Sequence, residues 1–113
     1  MIVVIHLTAD EQIGADAERA LAVLANRPGY LSGTAGPAAD DPASWVLVTQ
    51  WRTVGDYRRA LGNYDVKLYA TPLLARAIDL PSAFEQTVSV DSDGTVHHAA
   101  SDRFADGEDT ARR

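Results

Sequence analysis

The sequence of 113 residues contains no cysteine and no long apolar segment. The absence of cysteine excludes disulfide bonds, thiolate nucleophiles, zinc–thiolate centres and iron–sulfur clusters. No stretch approaches the roughly 18 consecutive apolar residues that a membrane-spanning helix needs. Residues 1–7 also lack the basic region followed by an apolar region that marks a secretory signal. We therefore expect a cytoplasmic protein without a membrane anchor.

Positive charge is scarce as well, because 10 lysines and arginines stand against 16 aspartates and glutamates. The resulting net charge of −6 disfavours nucleic acid as a partner, since binding to phosphates requires a basic face. It also disfavours binding to an anionic membrane surface. We expect neither nucleic acid nor membrane among the partners of this protein.

The length fits one domain with its own hydrophobic core. We predict that this domain covers residues 1–91. Residues 92–113 are expected to form a turn, then a short extra strand over residues 95–98 or none, and then a flexible tail. The tail consists mostly of small and charged residues, which bury too little apolar area to offset the entropy lost on ordering.

Hydrophobic periodicity divides residues 1–91 into alternating strands and helices. Apolar and β-branched runs predict strands, whereas apolar spacings of three and four residues predict amphipathic helices. Two helix starts carry capping signals, Thr8 with Glu11 and Thr53 with Asp56. At a third helix start, Thr71 is the predicted cap and Pro72 the first helical residue. The predicted strands cover residues 2–7, 30–35, 45–52 and 84–90, and the predicted helical segments lie within residues 8–27, 53–62, 64–69 and 71–78.

This order, β-α-β-β-α-β, is that of a ferredoxin-like α+β protomer with a four-stranded antiparallel sheet. Two helical regions cover only one face of such a sheet, yet the first and third strands are apolar on both faces. Val3, Ile5, Val46 and Val48 would then form an uncovered apolar patch. We expect a homodimer in which two sheets pack face to face. The alternative is that the C-terminal tail covers the patch as an extra strand.

Two segments carry a resemblance to a known family. Arg27–Tyr30 leads into the second strand, and Ser44–Tyr57 is a strand ending in tryptophan followed by a capped helix that opens with an acidic and an aromatic residue. Together with the element order, they make residues 1–90 resemble the antibiotic biosynthesis monooxygenase (ABM) family. The resemblance implies a dimeric α/β barrel of two protomers, each with a cavity between helices and sheet.

The resemblance also implies a function. Characterised members bind an aromatic, polyketide-like phenol, and some oxidise it with O₂ without a metal or flavin cofactor. An electron-rich phenolate can itself pass an electron to O₂, so the protein has only to hold, deprotonate and shield the substrate. A non-enzymatic dimeric protein that binds a small ligand or has a structural role is the alternative. A haem-degrading relative is disfavoured, because residues 7–96 contain no histidine that could bind iron from a helix.

Four aromatic residues are candidates for the substrate pocket. The resemblance implies that Trp51 lines the cavity, and the alternative is a core tryptophan at the sheet edge. Tyr57, Tyr64 and Tyr69 supply phenols in the helical region, where a buried hydroxyl could pair with a phenolic ligand. The alternative for these three is amphipathic packing with the hydroxyls in water.

Three residues are candidate catalytic groups, His6, Asn63 and Tyr64. His6 could act as a general base near neutral pH if its face of the first strand meets the cavity. If that face meets a partner instead, His6 is an interface residue. Asn63 could orient a substrate oxygen, although an asparagine that follows glycine is also typical of a cap or turn.

No metal site is expected. His97 and His98 are adjacent, so on a strand they point to opposite faces, and no third ligand stands at a supporting spacing. Asp91–Gly94 resembles the start of a calcium-binding loop but lacks the later glutamate, which favours a simple turn.

Overall fold

The computed structural model describes residues 1–100. Apart from its first two residues, the tail predicted from about residue 99 lies outside the described residues. The strands are β1 Ile2–Thr8, β2 Tyr30–Ala38, β3 Asp41–Trp51, β4 Ala83–Phe84, β5 Val88–Val90 and β6 Val96–His98. The helices are α1 Ile13–Ala25, α2 Val54–Leu61, α3 Tyr64–Tyr69 and α4 Thr71–Leu74.

Four strands form one antiparallel sheet in the order β2-β3-β1-β4. The helices pack on one face of this sheet and complete the core cluster with it. The predicted ferredoxin-like α+β arrangement is therefore confirmed. In this order β2 is an outer strand, and α1 lies beside it.

The two faces of the sheet differ in composition. On the helix side, β1 buries Val3, Ile5 and Leu7, and β3 buries Leu47, Thr49 and Trp51. The prediction that Val3 and Ile5 share the open face with Val46 and Val48 is therefore wrong. The antiparallel register pairs Val4 with Val48 and His6 with Val46, so Val4 and His6 lie on the open face instead.

The capping signals predict the start of α2 correctly but place the start of α1 too early. Thr8 is the last residue of β1, so the predicted capping box with Glu11 is wrong, and α1 begins at Ile13. The Oγ1 of Thr53 accepts the hydrogen bond from the backbone N–H of Asp56 (3.0 Å), as predicted for the start of α2. Thr71 is the first residue of α4 rather than its cap.

The predicted fourth strand, residues 84–90, is two separate strands. Phe84 pairs with Ile2, which is the first residue of β1, so the sheet offers no partner to the residues that follow. Val88–Val90 pairs instead with Val96–His98 in a hairpin. The hairpin turn is closed by Gly94 at φ +89° and by a contact of 2.8 Å between His97 Nε2 and Asp91 Oδ2. The extra strand that the sequence left open is thus present.

Candidate functional site

A cleft of about 500 Å³ lies between α1 and the outer edge of the sheet. Mostly small side chains on α1 form one wall together with Glu18 and Leu21, and Tyr30, Ala35 and Trp45 on β2 and β3 form the other. Clefts of this size accommodate small organic ligands. The lining residues are Gly14, Ala17, Glu18, Leu21, Ala22, Ala25, Tyr30, Ala35 and Trp45.

The cleft exists because α1 carries glycine and alanine where it faces β2. Gly14 lies opposite Trp45, and a Cβ atom at Gly14 would be 4.0 Å from Cη2 of that ring. Trp45 shares the helix-facing side of β3 with Leu47, but the short side chains of α1 do not cover it completely. The half-buried indole therefore remains available as an apolar wall.

Tyr30 connects the cleft to an aromatic cluster in the core. Its ring meets Trp51 edge to face, with the ring centroids 5.4 Å apart and the planes at 90°. Trp51 is fixed in turn by a hydrogen bond of 2.8 Å from its Nε1 to Oγ1 of Thr49. Tyr57 packs on the same indole at 5.5 Å. Tyr30 is thereby held in place by buried neighbours.

The polar groups of the cleft are few. Among the described residues that line it, Glu18 carries the one carboxylate, and it lies exposed on α1. Burial raises the pKa of Tyr30 and likewise the pKa of Tyr57. A tyrosine phenol is protonated at neutral pH even without this shift, so each is able to donate a hydrogen bond.

The four aromatic pocket candidates have different positions. Trp51 is only 1% exposed and lies in the core, in contact with Tyr57 but separated from the cleft by Tyr30. Tyr64 and Tyr69 are 74% and 45% exposed on α3. The structure thus brings Trp51 and Tyr57 together and leaves the other two tyrosines at the surface.

The three catalytic candidates lie apart from one another. His6 is on the open face of β1, opposite to the helices and the cleft. The side-chain oxygen of Asn63 accepts hydrogen bonds from the backbone N–H groups of Asp65 (3.0 Å) and Val66 (3.2 Å), which makes Asn63 the cap of α3. Tyr64 follows it at the surface.

Sequence reasoning missed Tyr30, Glu18 and Trp45 as lining residues. The alternation of β3 already placed Trp45 on the same face as Leu47. A second signal was the row of small residues on α1 beside the outer strand, including Gly14, Ala22 and Ala25, which Glu18 and Leu21 interrupt. What the sequence did not supply is the distance between α1 and β2, which decides whether this wall is open or closed.

Two functional classes can be checked directly against the geometry. Residues 1–100 contain no group of three or more His, Asp or Glu side chains placed to hold a metal ion. None of the helices in the described part of the chain combines the length and apolar character needed to cross a bilayer.

Solved structures share this arrangement. A mutant of SnoaB, a cofactor-independent oxygenase from Streptomyces nogalater, matches with a TM-score of 0.60 at 25% identity, over 68% of this chain and 82% of that protein. The chain has the ABM fold. A Nitrosomonas europaea protein provisionally named as an antibiotic biosynthesis monooxygenase matches with a TM-score of 0.55 at 15% identity, over 87% of this chain and 88% of that protein.

Solved structures with other names share this fold as well. Rv0793 from Mycobacterium tuberculosis matches with a TM-score of 0.57 at 14% identity, over 89% of this chain and 95% of that protein. No family model matches the chain, and no curated protein matches it either. The structural matches, rather than a sequence match, confirm the resemblance to the ABM family.

Proposed function

We propose that this protein is a cofactor-independent monooxygenase that oxidises a planar aromatic phenol of polyketide type with O₂. The single observation that carries the proposal is the cleft beside α1, which offers aromatic walls and one carboxylate within about 500 Å³. The ABM fold and the similarity to SnoaB, itself a cofactor-independent oxygenase, support it. In this proposal the substrate ring packs against Trp45 and Tyr30.

The proposed chemistry needs few protein groups. Glu18 accepts a proton from the ring methylene, or equivalently from the hydroxyl of its phenol tautomer, and the electron-rich anion then passes an electron to O₂. In the complete reaction a ring methylene becomes a ketone, one oxygen atom enters the product, and the other leaves as water with both methylene hydrogens. The substrate supplies all four electrons, so the balance requires no further reductant. The apolar walls shield the reactive anion from water.

Oxygen uptake with anthrone as substrate tests this function. We expect uptake above the uncatalysed background, and we expect Ala25→Phe to abolish most of it, because an exposed alanine of the cleft wall is replaced by a ring that fills the space. Ala15→Phe is the matched control, since Ala15 is exposed on the same helix but does not line the cleft. Glu18→Gln should slow uptake while leaving anthrone binding in place.

A rate of oxygen uptake with the wild-type protein that does not exceed the uncatalysed rate would contradict the proposed monooxygenase activity. If anthrone then still bound in the cleft, with loss of binding in Ala25→Phe, the protein would be a non-enzymatic ligand-binding relative. That alternative draws on the exposure of Glu18, because water reaches this carboxylate and competes with the ligand for it.

We further propose that two protomers pack through the open faces of their sheets. Ile2, Val4, Val46 and Val48 are apolar side chains on this face, and no helix of the described chain covers them. Packing two such faces together removes them from water, which favours association. The cytoplasm is the proposed location, where a chain without cysteine needs no disulfide for stability.

A further inference from the structure

Tyr30 holds a hydroxyl group in the cleft that no protein group uses. Within residues 1–100 this hydroxyl makes no hydrogen bond, and it remains accessible to solvent. The phenol is protonated at neutral pH, as tyrosine ordinarily is, so it presents a donor to the molecule that occupies the cleft.

The position of this hydroxyl is fixed by two neighbours. The edge-to-face contact with Trp51 sets the plane of the Tyr30 ring. Gly33 on β2 leaves space for the hydroxyl, because a Cβ atom there would collide with it and would also lie 2.7 Å from Cδ2 of Leu21. The backbone of Gly33 has no positive φ, so its glycine is explained by this close approach and not by a turn.

The cleft is therefore polar at two points of opposite character. Glu18 offers an acceptor on α1, and Tyr30 offers a donor on β2. Apart from Trp45, the other lining residues are glycine or carry aliphatic side chains. Tyr30 is therefore the hydroxyl donor that these lining side chains offer to an oxygen atom of a ligand. A ligand that leaves it without a partner forgoes one hydrogen bond in a largely apolar site.

We propose that the Tyr30 hydroxyl donates a hydrogen bond to a ring carbonyl or phenolate oxygen of the bound ligand, so that the cleft selects oxygenated polycyclic rings over their hydrocarbon analogues. This inference rests on the proposed function, because it assigns the ligand to the same cleft. Tyr30 is in this view a positioning and specificity residue, distinct from the proton acceptor Glu18.

The test compares two probes that differ only in their ring carbonyls, 2-hydroxyanthraquinone and 2-hydroxyanthracene. Both probes carry a hydroxyl that can donate a hydrogen bond to Glu18. Only the quinone also has a carbonyl that can accept a hydrogen bond from Tyr30. We expect Tyr30→Phe to weaken the binding of the quinone by about fivefold to tenfold and to leave the binding of the anthracene unchanged. Phenylalanine keeps the ring on Trp51, so the cluster stays packed.

A second variant displaces the same hydroxyl without removing it. Gly33→Ala places a Cβ atom where the hydroxyl lies, and we expect the same loss of preference for the quinone. Fluorescence titration of both probes against the three proteins gives the affinities, and near-ultraviolet circular dichroism checks the aromatic packing.

Equal weakening of both probes by Tyr30→Phe, or no change in either, would overturn the inference, as would a wild-type protein that binds neither probe. Oxygen uptake with anthrone separates it from the proposed function. A wild-type protein that prefers the quinone through Tyr30 but consumes no oxygen contradicts the monooxygenase and leaves the role of Tyr30 standing. A protein that consumes oxygen, but whose preference for the quinone does not depend on Tyr30, contradicts the role of Tyr30 and leaves the monooxygenase standing.

Discussion

Gly29, directly before Tyr30, occupies a position where both the backbone conformation and a neighbouring side chain favour glycine. It lies between α1 and β2 with φ +88°, a conformation that residues with a side chain rarely adopt. Its carbonyl accepts a hydrogen bond of 2.8 Å from the backbone N–H of Arg52, just before α2. A Cβ atom at Gly29 would collide with the side chain of Asp56 in the first turn of that helix. The residue therefore meets two separate constraints.

We expect Gly29→Ala to lower the free energy of unfolding by about 2 kcal/mol or more, because backbone strain and the collision with Asp56 act together. Urea denaturation measures the change, with the slope m expected to stay constant. Gly62→Ala is the control, since Gly62 has φ −84° and a Cβ atom there would make only an ordinary contact of 3.5 Å. Equal stability of the two variants would contradict this account of Gly29.

Asp56 is also a carboxylate whose charged form is favoured by its surroundings. A hydrogen bond of 2.6 Å from Nη2 of Arg59 to its Oδ1 lowers the pKa of Asp56, and the hydrogen bond with Thr53 lowers it further. Because the pKa is depressed in the folded state, the resulting stabilisation is present above the ordinary aspartate pKa and is lost in acid. The start of α2 thus loses support only at low pH.

At the scale of the element, side-chain caps determine where the short helices α2 and α3 begin. The six-residue α3 would be unstable alone, and its first turn depends on the two hydrogen bonds that Asn63 accepts. This helix carries Tyr64 and Tyr69 at the surface and buries Val66 in the core. The role of Asn63 is therefore open to a test that separates a cap from a catalytic group.

We expect Asn63→Ala to destabilise the protein by about 1 kcal/mol and Asn63→Asp to retain most of the stability, because aspartate caps as well as asparagine. Neither variant should change the affinity of the cleft for anthrone, since Asn63 does not line it. Thermal denaturation and an anthrone titration give the two quantities. Weaker anthrone binding in Asn63→Asp at unchanged stability would return Asn63 to the candidate functional residues.

The elements that the sequence predicts well are those in which a local pattern determines the outcome. The alternation over Trp45–Trp51 and the pairing of Thr53 with Asp56 both reappear in the structure. The predicted start of α1 at Thr8 fails because β1 extends through that residue to pair with Ser44, a partner distant in sequence. The prediction of one continuous strand over residues 84–90 fails for a related reason, since β1 begins at Ile2 and offers no partner beyond it.

At the scale of the molecule, the site was harder to predict than the fold. The side of the sheet that His6 faces follows from the register between β1 and β3, and one residue of slip would reverse it. The cleft depends on the distance between α1 and β2, and no single residue type in the sequence predicts that distance. Periodicity predicted the layers, whereas the candidate site depends on how closely they approach.

The proposed dimer provides the prediction for the whole molecule. We expect Val48→Glu to weaken self-association by at least about tenfold, because it puts an unpaired charge into the centre of the open face. Light scattering at micromolar concentration measures the mass, and circular dichroism checks that the protomer stays folded. Ala15→Glu adds the same charge on the exposed side of α1 and should not affect the mass. A wild-type protein with the mass of one protomer would contradict the dimer.

The cleft opens at β2, on the face of the sheet that carries the helices, and the proposed contact uses the opposite face. In such a pair the two clefts point outward, each assembled from the side chains of a single protomer. Occupancy of one then leaves the other unaltered, so a titration should give two equivalent sites per pair and a Hill coefficient of about one.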